Sequence, residues 1–202
     1  MSPMTTSPPA ATFPPRRDLT DGVVLLREPG EADVPALIEG ARTPDVVRFT
    51  RVPSPYGEEH ARRLLTIATQ GWAESTDAVF AVCDHDRPEL LLGLVGLHEI
   101  ELHGEPGGVA EIGYWLAPAG RGRGLMTRAV RLASDWAFDS LGLARISWYA
   151  RSDNTASRRV AEGAGYVVEG LVRRGLELRG ERVDHWVGSL LPEDVGRVPG
   201  RR

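Results

Sequence analysis

The chain has 202 residues, 42% of them hydrophobic and 26% charged, with a net charge of −4. That is the composition of one globular domain with room for a sizeable core, and the charge balance singles out neither nucleic acid nor a membrane as a bulk partner. No apolar run nears the roughly 18 to 20 residues of a membrane span, and a single cysteine, Cys83, excludes an internal disulfide.

Residues 1–21 carry five prolines among Ser, Thr and Ala and read as a disordered tail. With no basic residue before Arg16 and no apolar stretch, this is not a signal peptide, and a cytoplasmic protein is expected. Residues 23–27 form a short strand and 33–41 a helix with Val34, Leu37 and Ile38 inward. Thr43-Pro44-Asp45 starts another helix, since proline suits the first helical position. Pro53 and Pro55 make 51–57 irregular. A longer helix then runs over 58–73, with Ala61, Leu64, Leu65, Ala68 and Trp72 on one face.

The pattern then changes. Residues 78–84 (AVFAVCD) are a strand in which Cys83 is a small buried thiol. Residues 90–100 are a long apolar strand, and its Gly93 and Gly96 signal bulges or close backbone approach. Turn residues 105–108 lead to a strand over 109–116. These three strands form an antiparallel meander. The stretch 119–124 is a glycine turn, and 125–137 a helix with Met126, Ala129, Val130, Ala133 and Trp136 on its buried face. A strand at 144–150 completes a crossover and should lie parallel to 109–116. A helix at 155–164, ended by Gly165, is followed by strands at 166–173 and 183–191, the last closing the sheet. Residues 193–202 form a loose tail. The sum is a single-domain α/β fold with a mixed, mostly antiparallel sheet of about seven strands flanked by helices.

The glycine turn carries the chemistry. The first N–H groups of a helix lack intrahelical acceptors and the dipole places partial positive charge there, so glycines ahead of it let an anion approach closely. Arg121, Arg123, Arg128 and Arg131 add charge, with no acid between 121 and 131. A nucleotide P-loop would need a lysine that is absent, and a dinucleotide fingerprint fails at Thr127.

The order of elements, the strand EIGYWL, the loop APAGRGRG, its helix and the later SDNTASRRVAEGAGY together resemble the GNAT superfamily of N-acetyltransferases. They are most similar to its Rim-type (RimJ/RimL-like) branch, which includes enzymes acetylating ribosomal-protein N-termini. The resemblance covers about residues 22–192. It implies that Arg121, Gly122, Arg123, Gly124, Leu125, Met126 and Thr127 cradle the pyrophosphate of acetyl-CoA, a co-substrate. Met126 stands where the family has a small residue, so its bulk must turn into the helix core. Leu116 and Ala117 would meet the pantetheine, a backbone N–H near Leu116 serving as oxyanion donor. Asn154 and Ser157, in Asn-x-x-Ser, match the second CoA motif. Asn154 is equally a helix cap, and Ser157 a source of a proton for the departing sulfur. The tyrosine that related enzymes place seven residues after the asparagine is Ala161 here.

Acyl transfer to an amine needs a base, for which Glu111 on the strand before the loop is the candidate, its pKa raised if it flanks an apolar channel. Strand alternation puts Glu111, Gly113 and Trp115 on one face and Ile112, Tyr114 and Leu116 on the other. His98, Glu99 and Asp184 are candidate acceptor-binding residues. Glu99, Glu101, Glu105 and Glu111 together would make an acidic cleft suited to a cationic acceptor. No metal site is expected. The acceptor implied is a protein N-terminal α-amine. A small-molecule amine, such as an antibiotic or polyamine, is the alternative, and a non-catalytic acyl-CoA-binding module or a nucleotide-binding protein are rivals. The exposed edge of such a sheet leaves a homodimer open.

Overall fold

The computed structural model describes residues 12–102 and 107–196. One sheet of eight strands runs through it: β1 (Leu19–Thr20), β2 (Val24–Arg27), β3 (Ala78–Asp84), β4 (Arg87–Glu101), β5 (Gly108–Leu116), β6 (Leu143–Arg151), β7 (Val167–Leu178) and β8 (Glu181–Leu190). Their spatial order is β1-β2-β3-β4-β5-β6-β8-β7. Every pairing is antiparallel except β5 with β6, which is parallel as the crossover requires. The helices are α1 (Val34–Ala41), α2 (Pro44–Phe49), α3 (Glu58–Glu74), α4 (Leu125–Trp136), extended by a wide turn over Ala137–Leu141, and α5 (Thr155–Ala164).

The sheet is buried on both faces, and the period of two in β3 shows how. Ala78, Phe80 and Val82 point into the core shared with α4, while Val79, Ala81 and Cys83 point into the core under α1 and α3. Helix α4 presents Leu125, Met126, Ala129, Val130, Ala133 and Trp136 to the first core at helical spacing. Each large side chain among them contributes roughly 1.5 to 3 kcal/mol by leaving water. Met126 is buried in that core, so its bulk does turn inward.

Three expectations need correction. The stretch read as a disordered tail is ordered in its second half: Phe13 packs edge-on against Trp72 and Trp136, its N–H donates to Ser75 Oγ, and Leu19–Thr20 supplies the eighth strand. Phe13 outweighs the proline-rich composition because the Trp72–Trp136 stack offers it a partner, a long-range contact no local pattern reveals, while Leu19 pairs with Leu26 and packs on the core. Residues 1–11 lie outside the described residues. The last strand does not close the sheet either. β8 inserts between β6 and β7, leaving β7 as the edge, because its hairpin partner has the more exposed side chains, Val167 and Leu171 among them. For the expected loose C-terminus, residues 192–195 form one helical turn and 197–202 lie outside the described residues.

β4 is longer than expected and bulges between His98 and Glu101, with Glu99 at φ +50°. Gly93 and Gly96 do mark close approaches. A Cβ on Gly93 would stand 2.2 Å from the Trp115 carbonyl oxygen, and one on Gly96 2.6 Å from the His98 ring.

Candidate active site

The site begins where a ladder ends. β5 pairs with β4 as far as Leu116, but with β6 only as far as the Ile112–Trp148 pair. The Ala117 N–H donates to the Leu92 carbonyl. By the alternation of an antiparallel ladder, Trp115 and Gly113 therefore turn their backbone groups toward β4, and Tyr114 and Leu116 turn theirs toward β6, which has splayed away. The Tyr114 and Leu116 N–H groups are thus left facing a gap, while the Leu116 carbonyl accepts two bonds from the Arg121 guanidinium, at 3.0 and 2.8 Å. Buried backbone groups are rarely left unpaired, so this edge is built to be paired by something else. Ala117, expected to share that task, has spent its N–H on β4.

Two cavities meet at the gap. The smaller, about 470 Å³, is lined by Leu116, Arg121, Gly122, Gly124, Leu125, Met126 and Thr127. Gly122 and Gly124 adopt φ +74° and +70°, the left-handed region that costs other residues about 1 to 2 kcal/mol. A Cβ on either would meet nothing within 4 Å, so these glycines serve the turn and leave the loop face open. Gly124 is the N-cap of α4 and offers no side-chain cap, so the first N–H groups of the helix stay available to an anion.

The arginines divide. Arg121 bonds Asp45 of α2 at 2.7 Å and lines the smaller cavity. Arg123 turns to Asp84, Arg128 to Asp21 and Arg131 to the Gly163 carbonyl. The run without acids in sequence is therefore met by acids from afar, and Arg123 does not line the cavity. Arg159 of α5, not singled out in the sequence, does line it. It lies one turn beyond Thr155 in the second motif, which is the signal that could have found it.

The larger cavity, about 700 Å³, opens on the other side of the junction. Phe49, Thr50, Tyr114, Trp115, Asn154 and Ser157 line both. Asn154 caps α5, its Oδ1 accepting the Ser157 N–H at 3.1 Å, which leaves its amide NH2 for the cavities. Ser157 Oγ accepts the Trp148 indole N–H at 3.2 Å and donates to the Tyr114 hydroxyl at 3.1 Å. That hydroxyl in turn donates to the Ser157 carbonyl at 2.8 Å, and burial raises its pKa well above the usual tyrosine value. Tyr114 was read only as the end of an apolar run. Its position beside Ser157 is a contact across 43 residues and has no local signature.

Glu111 and His98 face each other across the β4–β5 ladder and both line the larger cavity. Burial raises the Glu111 pKa above the ordinary carboxylate value, with Arg51 partly opposing it. His98 Nδ1 lies 2.8 Å from Asp77 Oδ1. A carboxylate only accepts, so Nδ1 carries the hydrogen and Nε2 is left toward Gly96 and the cavity. The bond to His98 holds the Asp77 carboxyl below its usual pKa.

The expected acidic cleft does not form. Glu99 sits on the bulge outside both cavities, Glu101 lies beyond it, and Glu105 lies outside the described residues, so Glu111 is the only acid lining the larger cavity among the described residues. The bulge between His98 and Glu101 interrupts the ladder with β5, so the gathering of glutamates in sequence does not become a shared cavity wall. Asp184 is also elsewhere: its carboxylate accepts the Arg174 N–H at 2.8 Å and stabilises the β7–β8 hairpin. No group of His, Cys, Asp and Glu suited to a metal exists among the described residues, and no helix among them is long and apolar enough to cross a membrane.

Residues 24–167 match the model of the acetyltransferase (GNAT) domain. The chain belongs to the GNAT acetyltransferase family. It is 44% identical over 85 residues to a Bacillus subtilis protein named "Probable N-acetyltransferase YjcK", an alignment covering 42% of this chain and 47% of that one. With a second B. subtilis relative, YdaF, the alignment also takes in only about half of the relative's length, 55%. In fold, the chain is similar to Mycobacterium smegmatis RimJ, solved in complex with CoA-disulfide, with a TM-score of 0.77, 24% identity and coverage of 90% and 88% of the two chains. It is similar also to the ribosomal-protein-S5-alanine acetyltransferase of Vibrio fischeri, with a TM-score of 0.74, 21% identity and coverage of 87% and 97%.

Proposed function

We propose that this protein transfers an acetyl group from acetyl-CoA to a primary amine, and that the amine is the α-amine of a protein N-terminus. The observation that carries the proposal is the unpaired Tyr114–Leu116 edge lying between an anion cradle on one side and a cavity holding a desolvated carboxylate on the other.

Gly122, Gly124 and the start of α4 would hold the pyrophosphate, with Arg121 and Arg159 adjoining it. The open edge of β5 would pair with the pantetheine arm, and the Leu116 N–H would donate to the thioester oxygen as it gains negative charge. Glu111 accepts a proton from the incoming ammonium, directly or through water, so that a neutral amine attacks the carbonyl carbon. The C–N bond forms and the C–S bond breaks. The proton that the nitrogen sheds balances the thiolate, which leaves as CoA thiol. Tyr114 and Ser157 hold the hydroxyl pair nearest the junction and are the candidate route for that proton. Ser157 alone is poorly placed for it, because its hydrogen is directed at Tyr114.

The N-terminal acceptor is supported by the size of the larger cavity, which suits the first residues of a peptide, and by fold neighbours named as ribosomal-protein acetyltransferases. The test is thiol release from acetyl-CoA with short peptides that differ in their first residue, and with the same peptides blocked at the α-amine. Release that requires the free α-amine supports the proposal. Equal release from blocked peptides bearing a lysine would move the acceptor to a side chain.

A further inference from the structure

The charges around the larger cavity say more about its acceptor than its shape does. The chain has four more acids than bases, yet Arg51, Arg63 and Arg151 line this cavity against Glu111 as the one acid among the described residues. Three cations line it against one anion in a protein of net charge −4, with Glu99, outside the lining, near enough to add to the rise of the Glu111 pKa. Arg151 bonds Asp153 at 2.7 Å, but Asp153 also bonds Arg48 at 2.7 Å, so one carboxylate is shared by two guanidinium groups. Arg51 and Arg63 have no hydrogen-bonded or ion-paired partner among the described residues. Most arginines of this chain are tied to a carboxylate or a carbonyl, as Arg121, Arg123 and Arg179 are. Two unpaired ones therefore converge on one cavity. The same cavity is lined by the aromatic side chains of Trp115, Trp148 and Tyr149 and by Leu64, Ile67 and Leu94.

We infer that the acceptor is an amine on an apolar or aromatic body that also bears a carboxylate, the amine meeting Glu111 and the carboxylate meeting Arg51 and Arg63. The inference rests on the reading of this cavity as the acceptor site. A guanidinium fork suits a carboxylate, and a like charge on the acceptor would be repelled. Polycationic amines are accordingly poor acceptors. The same chemistry has two sources: a peptide N-terminus with an acidic residue among its first few, or a free amino-acid-like molecule.

The test uses the full chain with acetyl-CoA and two charge-graded panels. One is a peptide set beginning Ala-Asp-Phe, Ala-Asn-Phe and Ala-Lys-Phe. The other is phenylalanine, phenethylamine and spermidine. In whichever panel turns over, kcat/KM should fall about tenfold from the carboxylate-bearing member to the one without that carboxylate, and further to the one with added positive charge. The double variant Arg51→Glu/Arg63→Glu should reverse that order while keeping the melting-temperature shift caused by acetyl-CoA. If neither panel turns over, the same compounds are titrated calorimetrically into the CoA-saturated protein. The same order of binding upholds the charge selectivity even though acetylation of these amines has failed. An order led by either member that lacks the carboxylate, an order unchanged in the double variant, or no binding by any carboxylate-bearing compound would overturn the inference.

Discussion

The two cavities that meet at Tyr114 and Ser157 are made in different ways. The smaller is centred on one continuous piece of chain, from Leu116 to Thr127, with α2 and α5 closing it, and the working parts of that piece are backbone: two left-handed glycines, an uncapped helix start and an unpaired strand edge. The larger is made of side chains brought from α1, α2, α3, α5, β3, β4, β5, β6, β7 and the irregular stretch before α3. A backbone cradle depends on conformation and tolerates varied side chains. A side-chain cavity depends on who is present. The first suits a donor shared across a family, and the second suits an acceptor particular to one member.

The largest effect should come from breaking the backbone cradle. Gly124→Asp places a non-glycine residue at φ +70° and an anion at the helix start. Binding of acetyl-CoA, followed by thermal shift or calorimetry, should weaken on the order of 100-fold, about 2.7 kcal/mol. Unchanged affinity would mean that the cradle lies elsewhere.

Next in size is the change that should separate the two cavities. Glu111→Gln should lower kcat/KM by up to about 100-fold, the low end of what a general base contributes because water can still take the proton, while leaving the acetyl-CoA thermal shift intact. The pH profile supplies the sign. Glu111 works as the carboxylate, and burial raises its pKa, so activity should fall with pH through a pKa above the ordinary glutamate value. That limb should vanish in the variant. A limb that persists would pass the role to His98, which Asp77 holds with Nε2 toward the cavity.

Smaller again, Tyr114→Phe removes one hydroxyl and leaves the Ser157 Oγ without its acceptor. Activity should drop roughly tenfold, with a stability loss of about 1 to 2 kcal/mol measured by denaturant unfolding. A change in stability without one in rate would make Tyr114 a purely structural support.

The smallest effect belongs to the far edge. Arg145 grips Glu169 with two bonds at 2.9 and 2.8 Å, and Glu169 also accepts from Ser189. These bonds hold the Glu169 carboxyl down at about 2. The stability they add is present above the unfolded pKa and is lost as pH falls toward 2. The pair is largely solvent-exposed, so Arg145→Ala should cost no more than about 1 kcal/mol at neutral pH and leave activity unchanged.

The same contrast explains what could be read from the sequence. The elements around the donor cavity were legible because glycine turns, caps and helical periodicity are local. The parallel β5–β6 pair followed from a handedness rule. The arrangement at the acceptor side was not legible. Tyr114 looked like core because its hydroxyl partner is 43 residues away. The glutamates looked like a cleft because they gather on neighbouring strands, but Glu99 sits on a bulge, at φ +50°, outside both cavities. Arg51 and Arg63 carried no local signal of a site, one in an irregular stretch and one on a helix away from its apolar positions. Phe13 was hidden inside a proline-rich composition whose aromatic partners lie 59 and 123 residues further on.

The central claim is that the unpaired half of β5 is where the thioester is held. Residue-resolved amide exchange with and without acetyl-CoA tests it most directly. The Tyr114 and Leu116 amides should exchange quickly in the free protein and become protected on binding, while the Ile112 amide, already laddered to β6, should hardly change. Protection confined to the loop at Gly122–Gly124, with Tyr114 and Leu116 still fast, would contradict the account.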